Sequence, residues 1–204
     1  MVLHDQSASI DDSLGRIHFA LSHKDWSPHH NIHTAPLIRK ESDYLYVEIE
    51  ERRKLFYALY SFTKKCDISW KSFLVEKTRG SEPGELLKEL RAQVEEWLVE
   101  TETHFQKFDK IIIYYDNGQA EISRLMKDVF DRSFAKVEIR KVQPADYSLF
   151  QSADLLCTLT LLREKISRGS ITKSEEVFFR KSKYSARRNL KKNILKLLDS
   201  KQTF

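Results

Sequence analysis

The run Lys110-Ile-Ile-Ile-Tyr-Tyr-Asp116 constrains the fold more than any other string in this chain. It is apolar and largely β-branched without alternation, so it predicts a strand covered on both faces. Asn117-Gly118 follows at once, and Ile122, Leu125, Met126, Val129 and Phe130 then fall at helical spacing. Val137, Ile139 and Val142 alternate as a second strand, closed by Pro144. Upstream, Ile68, Trp70, Phe73 and Val75 make a β-prone run from 67 to 77, and the turn-rich segment Arg79 to Gly84 leads into a long helix marked by Leu86, Leu90, Val94, Trp97, Leu98 and Phe105. Downstream, Tyr147 to Lys165 reads as a helix apolar on nearly every side, which predicts packing on several neighbours, with Asp146 as its N-cap. Strand, helix, strand, helix, strand, helix predicts an α/β layered domain with a central mixed sheet flanked by helices. Reactive groups in such sheets gather outside the carboxyl ends of the strands, where Asp116 stands.

The N-terminal third is different in kind. Ile10, Leu14, Ile17 and Leu21, with Ser9 and Asp12 as a capping-box-like start, predict a helix over 9–24. Trp26 to Pro36 breaks all periodicity and carries His29, His30 and His33, with His23 just before it, so it reads as a loop. Ile49, Leu55, Phe56, Leu59 and Phe62 restore helical spacing over 48–65. A chain of 204 residues is of single-domain length, so 1–204 is expected to be one domain, with 9–65 as a helical and loop insertion and 170–204 as a C-terminal extension.

With 41% hydrophobic residues the chain can bury a core, which excludes disordered and low-complexity classes. The start MVLHDQSASIDD carries acids where a signal peptide needs a basic flank, and the chain holds no apolar run of spanning length, so a soluble cytoplasmic protein without membrane contact is expected. Cys66 and Cys157 cannot build a disulfide framework, and Cys157 is expected to pack as a buried thiol. Charge is divided unevenly. Residues 163–204 hold 13 Lys+Arg against 4 Asp+Glu, whereas the rest of the chain is mildly acidic. A basic end beside an acidic body suits a segment that grips phosphates, and Leu190, Ile194, Leu197 and Leu198 give it an apolar docking face that leaves Arg187, Arg188, Lys191 and Lys192 in water.

Asp154 is the most informative single residue, because it sits well inside the apolar helix and is not needed as a cap. An ionised carboxylate there costs several kcal/mol unless a cation, a metal or a set of donors meets it. Gln151 and Thr158, three before and four after, share its face as a narrow polar stripe. Asp116 and Asp154 together are the minimum set of carboxylates for one or two hard divalent cations, Mg2+ or Mn2+, which clamp a phosphodiester and activate water. Asp116, Asp154 and His33 are the catalytic candidates, the two acids as metal ligands and His33 as acid, base or substrate contact. Gln151, Asn117, Gln119, Arg187, Arg188, Lys191 and Lys192 are the substrate-binding candidates. The chain carries no Walker loop, GxGxxG, nucleophile elbow or zinc spacing, so NTPase, dehydrogenase and hydrolase-triad readings lack support.

The strings His4-Asp-Gln-Ser7, Asn31-Ile-His-Thr-Ala-Pro-Leu-Ile-Arg39, Glu50-Glu-Arg-Arg-Lys-Leu-Phe56, Ile112-Ile-Tyr-Tyr-Asp-Asn-Gly-Gln119, Ala145-Asp-Tyr-Ser-Leu-Phe-Gln-Ser-Ala-Asp-Leu-Leu156 and Lys173-Ser-Glu175 with Phe178-Phe179 resemble the bacterial family catalogued as domain of unknown function three thousand eight hundred. The resemblance covers nearly the whole chain and implies a ribonuclease-H-like fold. It also marks a departure: members of that family open on a strand carrying Asp-Glu-Ser-Gly, whose Asp is the central metal ligand, whereas Met1 here is expected to fall partway along the second strand. The first strand and its Asp are missing from this sequence. The leading expectation is therefore a metal-dependent nuclease-like domain, inactive as given, and the alternative is a catalytically dead module that binds nucleic acid or protein.

Overall fold

The structure, a computed structural model, describes residues 1–22, 26–27, 30–78, 80–115, 120–142, 147–181 and 184–201. In chain order the elements are β1 (Val2–Leu3), α1 (Asp11–Ser22), α2 (Thr34–Arg39), a 3-10 turn (Ser42–Tyr44), α3 (Ile49–Lys65), β2 (Ser69–Trp70), α4 (Pro83–Phe105), β3 (Ile111–Tyr115), α5 (Ala120–Ser133), β4 (Val137–Lys141), α6 (Ser148–Ser167), α7 (Lys173–Phe179), α8 (Ala186–Asn189), a π turn (Leu190–Ile194) and α9 (Lys196–Lys201). The protein is mixed α/β and mostly helical. It divides into two compact units, Met1–Lys71 with Pro144–Thr203, and Ser72–Gln143. Residues 9–65, expected as an insertion into one domain, belong to the first unit and supply much of its core.

The first unit is built around α3 and α6. Glu50 and Glu51 in the first turn of α3 and Lys64 and Lys65 in its last turn oppose the helix dipole. Leu55, Phe56, Leu59 and Phe62 point inward from α3 and meet Leu155, Leu156, Leu159 and Leu162 of α6 in one continuous core. Phe56 is fully buried, with the rings of Phe178 and Phe179 edge-on at 5.6 and 5.4 Å. Contacts of that geometry add about 0.5–1.5 kcal/mol each beyond area burial. α7 begins on a complete capping box, Thr172 with Glu175, whose carboxylate also holds the Lys165 ammonium at 2.5 Å. β1 and β2 pair antiparallel over two residues, and the Trp70 indole N–H donates to the Leu198 carbonyl at 3.0 Å, fixing α9.

In the second unit β3 and β4 run parallel in register from Ile111 against Val137 to Tyr115 against Lys141, with α5 as their crossover. Pro83 starts α4 at a position where its missing N–H is harmless. Trp97 and Phe105 of α4 join Phe130 and Phe134 in an aromatic core, Trp97 to Phe105 at 5.4 Å and Phe105 to Phe134 at 5.3 Å.

Three expectations change. Among the described residues the strands form two separate two-stranded sheets instead of one central sheet, and every residue of β3 is only half-buried, not covered on both faces. The strand expected over 67–77 shrinks to Ser69–Trp70. Phe73 is drawn onto Trp97, with ring centroids at 5.6 Å, and the Leu74 backbone is satisfied by the Gln93 amide at 2.8 and 3.2 Å instead of a ladder. Cys157 is exposed, and Cys66 is the buried thiol. Cys157 and Leu161, four residues apart, form an outward stripe on α6, so that helix is not covered all round as its composition predicts. Asp146 and Pro144 lie outside the described residues.

Candidate functional site

Three consecutive backbone N–H groups at the entrance to α2 are each met by a side chain from elsewhere. Ile32 N–H donates to Gln151 Oε1 at 3.1 Å, His33 N–H to the Tyr44 hydroxyl at 3.3 Å, and Thr34 N–H to Asp154 Oδ2 at 2.6 Å. The polar stripe on α6 thus fastens the segment 31–34, and the partner that Asp154 requires is a backbone N–H rather than a buried cation. His33 stands between the two anchored positions with an exposed imidazole, its Nε2 3.1 Å from the Asn31 amide nitrogen. Arg39 and Glu41 pair with one another at 3.2 Å instead of facing His33.

Tyr44 is the hub of this arrangement. It is buried, its hydroxyl lies 3.0 Å from His30 Nε2, and Trp26 packs on the His30 ring at 4.3 Å. Burial, with Asp43 and Asp154 nearby, pushes the Tyr44 phenol up to about 12, so it stays neutral and keeps a proton to share. Burial also lowers the His30 imidazole below its ordinary range; Asp43 opposes this and His33 adds to it. A depressed histidine contributes stability that is complete above its unfolded pKa of about 6.5 and is lost as pH falls through the folded value. Between about pH 7.5 and pH 5 the protein should lose stability that a His30→Gln variant does not lose. Urea melts of both proteins across that range check it, and parallel pH profiles would remove His30 from the account.

Sequence reasoning placed Asp154, Gln151 and His33 together, and in the structure they share the segment 31–34. Asp116, Asn117 and Gln119, as well as His23 and His29, lie outside the described residues. Thr34 has a buried hydroxyl with no hydrogen-bond partner, directly after the exposed His33 and on the residue that Asp154 holds. One carboxylate beside one hydroxyl is too small a donor set for Mg2+ or Mn2+. Among the described residues no group of three His, Cys, Asp or Glu side chains is arranged to hold a metal.

Sequence reasoning missed the two arginines that shape the site's supports. Arg52 is buried, with its guanidinium donating to the carbonyls of Leu37 at 2.7 Å, Ile38 at 3.1 Å and Val47 at 3.2 Å, so it closes the C-terminal end of α2. Arg53 does the same for α7, through the carbonyls of Phe178 at 2.9 Å and of Val177 and Arg180 at 3.0 Å. The signal was the pair Arg52-Arg53 inside an otherwise amphipathic helix, where Arg52 falls on the apolar face.

The basic extension follows its expected pattern. Leu190, Ile194, Leu197 and Leu198 are all buried, at 0%, 2%, 1% and 0% exposure, while Arg187, Arg188, Lys191 and Lys192 are exposed. The π turn adds one residue between α8 and α9, which keeps both pairs of apolar positions on the inner side. Arg187 reaches the Gly169 carbonyl at 3.3 Å and Arg188 lies over the Tyr184 ring at 4.8 Å, so two of the four cations are held in place. Among the described residues no helix is long and apolar enough to cross a membrane. Compared with family models, curated proteins and solved structures, the chain matches none of them.

Proposed function

We propose that this protein binds nucleic acid through the basic outer face of α8, the π turn and α9, carried on a ribonuclease-H-like body. One observation carries the reading: Arg187, Arg188, Lys191 and Lys192 are presented to solvent by a segment whose opposite face is locked into the core. Charge arranged that way contacts phosphates without reading bases. The parallel β3–α5–β4 unit followed by the long α6 supports the architecture. The test is a titration of the whole chain with single- and double-stranded oligonucleotides at low salt. Binding that weakens steeply with added salt supports the reading, and no binding at low salt removes it.

A second reading, phosphodiester cleavage with Mg2+ or Mn2+ on Asp116 and Asp154, is favoured by the meeting of Asp154, Gln151 and His33 on one pinned segment. On this reading any divalent-dependent cleavage is lost in Asp154→Asn, while binding to the basic face persists. Cleavage that survives the substitution takes Asp154 out of the chemistry and leaves it as the anchor of Thr34.

A further inference from the structure

A cavity of about 740 Å³ runs beside α3, walled by α1 on one side and by the end of α7 on the other. It follows one stripe of α3 from Glu50 to Lys65, a run of roughly 22 Å at 1.5 Å per residue. Its cations are Arg16 on α1, Arg53, Lys54 and Lys65 on α3, and Arg180 and Lys181 after α7, against Glu50 as a carboxylate on the lining. Arg53, Lys54 and Arg180 are paired with Glu50, Glu51 and Glu176. Arg16, Lys65 and Lys181 are exposed and have no carboxylate partner among the described residues. Positive charge therefore remains uncompensated on α1, on the last turn of α3 and just after α7.

We propose that this groove is the channel for a single nucleic-acid strand. The inference rests on the nucleic-acid reading and adds a second, separate contact surface to it. Charge spread along a slot matches a chain of phosphates, whereas a lone phosphate needs its donors converging on one point. The cavity volume drawn out over its length fits one strand and not a duplex. Non-specific single-strand sites combine a basic track with aromatic side chains. Tyr57 supplies such a ring on the wall, half-buried, with the Lys181 ammonium 5.2 Å from its centroid. Phosphates entering the groove draw Lys181 from the ring and leave the ring face to a base.

The experiment uses the full chain and its combined variant Arg16→Gln, Lys65→Gln, Lys181→Gln. Fluorescence anisotropy follows a labelled oligothymidylate of about 12 nucleotides and a duplex of the same length over a salt series. All three side chains are exposed, so the variant should melt as the wild type does. Its affinity for the single strand should fall at least about tenfold, and its log-log salt slope should flatten by about 2, at about 0.7 for each phosphate no longer neutralised. Duplex affinity should stay within about twofold, because duplex binds the α8–α9 face. Single-strand affinity and slope equal to the wild type overturn the channel while leaving the nucleic-acid reading standing. An equal loss for strand and duplex also overturns it. Wild-type protein that binds neither probe removes the wider reading together with the channel.

Discussion

Replacing Arg52 by alanine should cost about 3–5 kcal/mol, since three charge-assisted hydrogen bonds disappear at once at about 1.5–3 kcal/mol each before non-additivity. Arg52 is 5% exposed, and its planar fork reaches the Leu37, Ile38 and Val47 carbonyls while its guanidinium carbon lies 5.6 Å from the centre of the Phe178 ring. Arg52→Met keeps the packing and loses the bonds, so it should recover less than half of the deficit. Arg52→Lys should also fail, because one ammonium cannot reproduce the fork. A loss of that size consumes much of a typical domain stability of about 5–15 kcal/mol. It also releases α2, and with it the segment 31–34 that carries His33. Urea denaturation measures it; a deficit under about 1 kcal/mol would show that water replaces the guanidinium at little cost.

The helices were legible wherever a single face set the spacing. The reading over 48–65 meets α3 at Ile49–Lys65, and the pattern from Leu86 to Phe105 meets α4. The two strands around α5 were legible for the same local reason. The sheet itself was not, because pairing is decided by what lies beside a strand. Phe73 and Val75 have strand-like residue types, yet the Phe73 ring finds Trp97 and the neighbouring backbone finds Gln93. The exposed stripe of Cys157 and Leu161 was hidden for the opposite reason: composition reports how apolar a helix is, and not which side the rest of the chain covers.

In the site, the sequence announced that Asp154 needs a partner but not which one. The partner is a backbone N–H 120 residues away, and a backbone group carries no residue-type signature. Tyr44 and Arg52 escaped notice because each acts through main-chain atoms of α2 and the residues just before it. The basic extension was legible because both halves of its pattern are local: apolar residues at helical spacing, and cations between them.

The central claim is that the outer face of α8–α9 holds nucleic-acid phosphates, and the Arg187→Ala, Arg188→Ala, Lys191→Ala, Lys192→Ala variant tests it. Four phosphate contacts at about 0.7–0.9 of slope each predict a log-log salt dependence flatter by about 3. The accompanying fall in affinity at low salt is on the order of a hundredfold or more. The loss should be the same for every base sequence, because these contacts position without reading. Folding should survive, since the buried Leu190, Ile194, Leu197 and Leu198 are untouched, and the main structural change is that the Gly169 carbonyl no longer meets Arg187. The decisive measurement is the salt dependence of duplex binding by wild type and variant side by side. The account predicts parallel melting curves and slopes that differ by about 3; identical slopes, with both proteins folded, would contradict it.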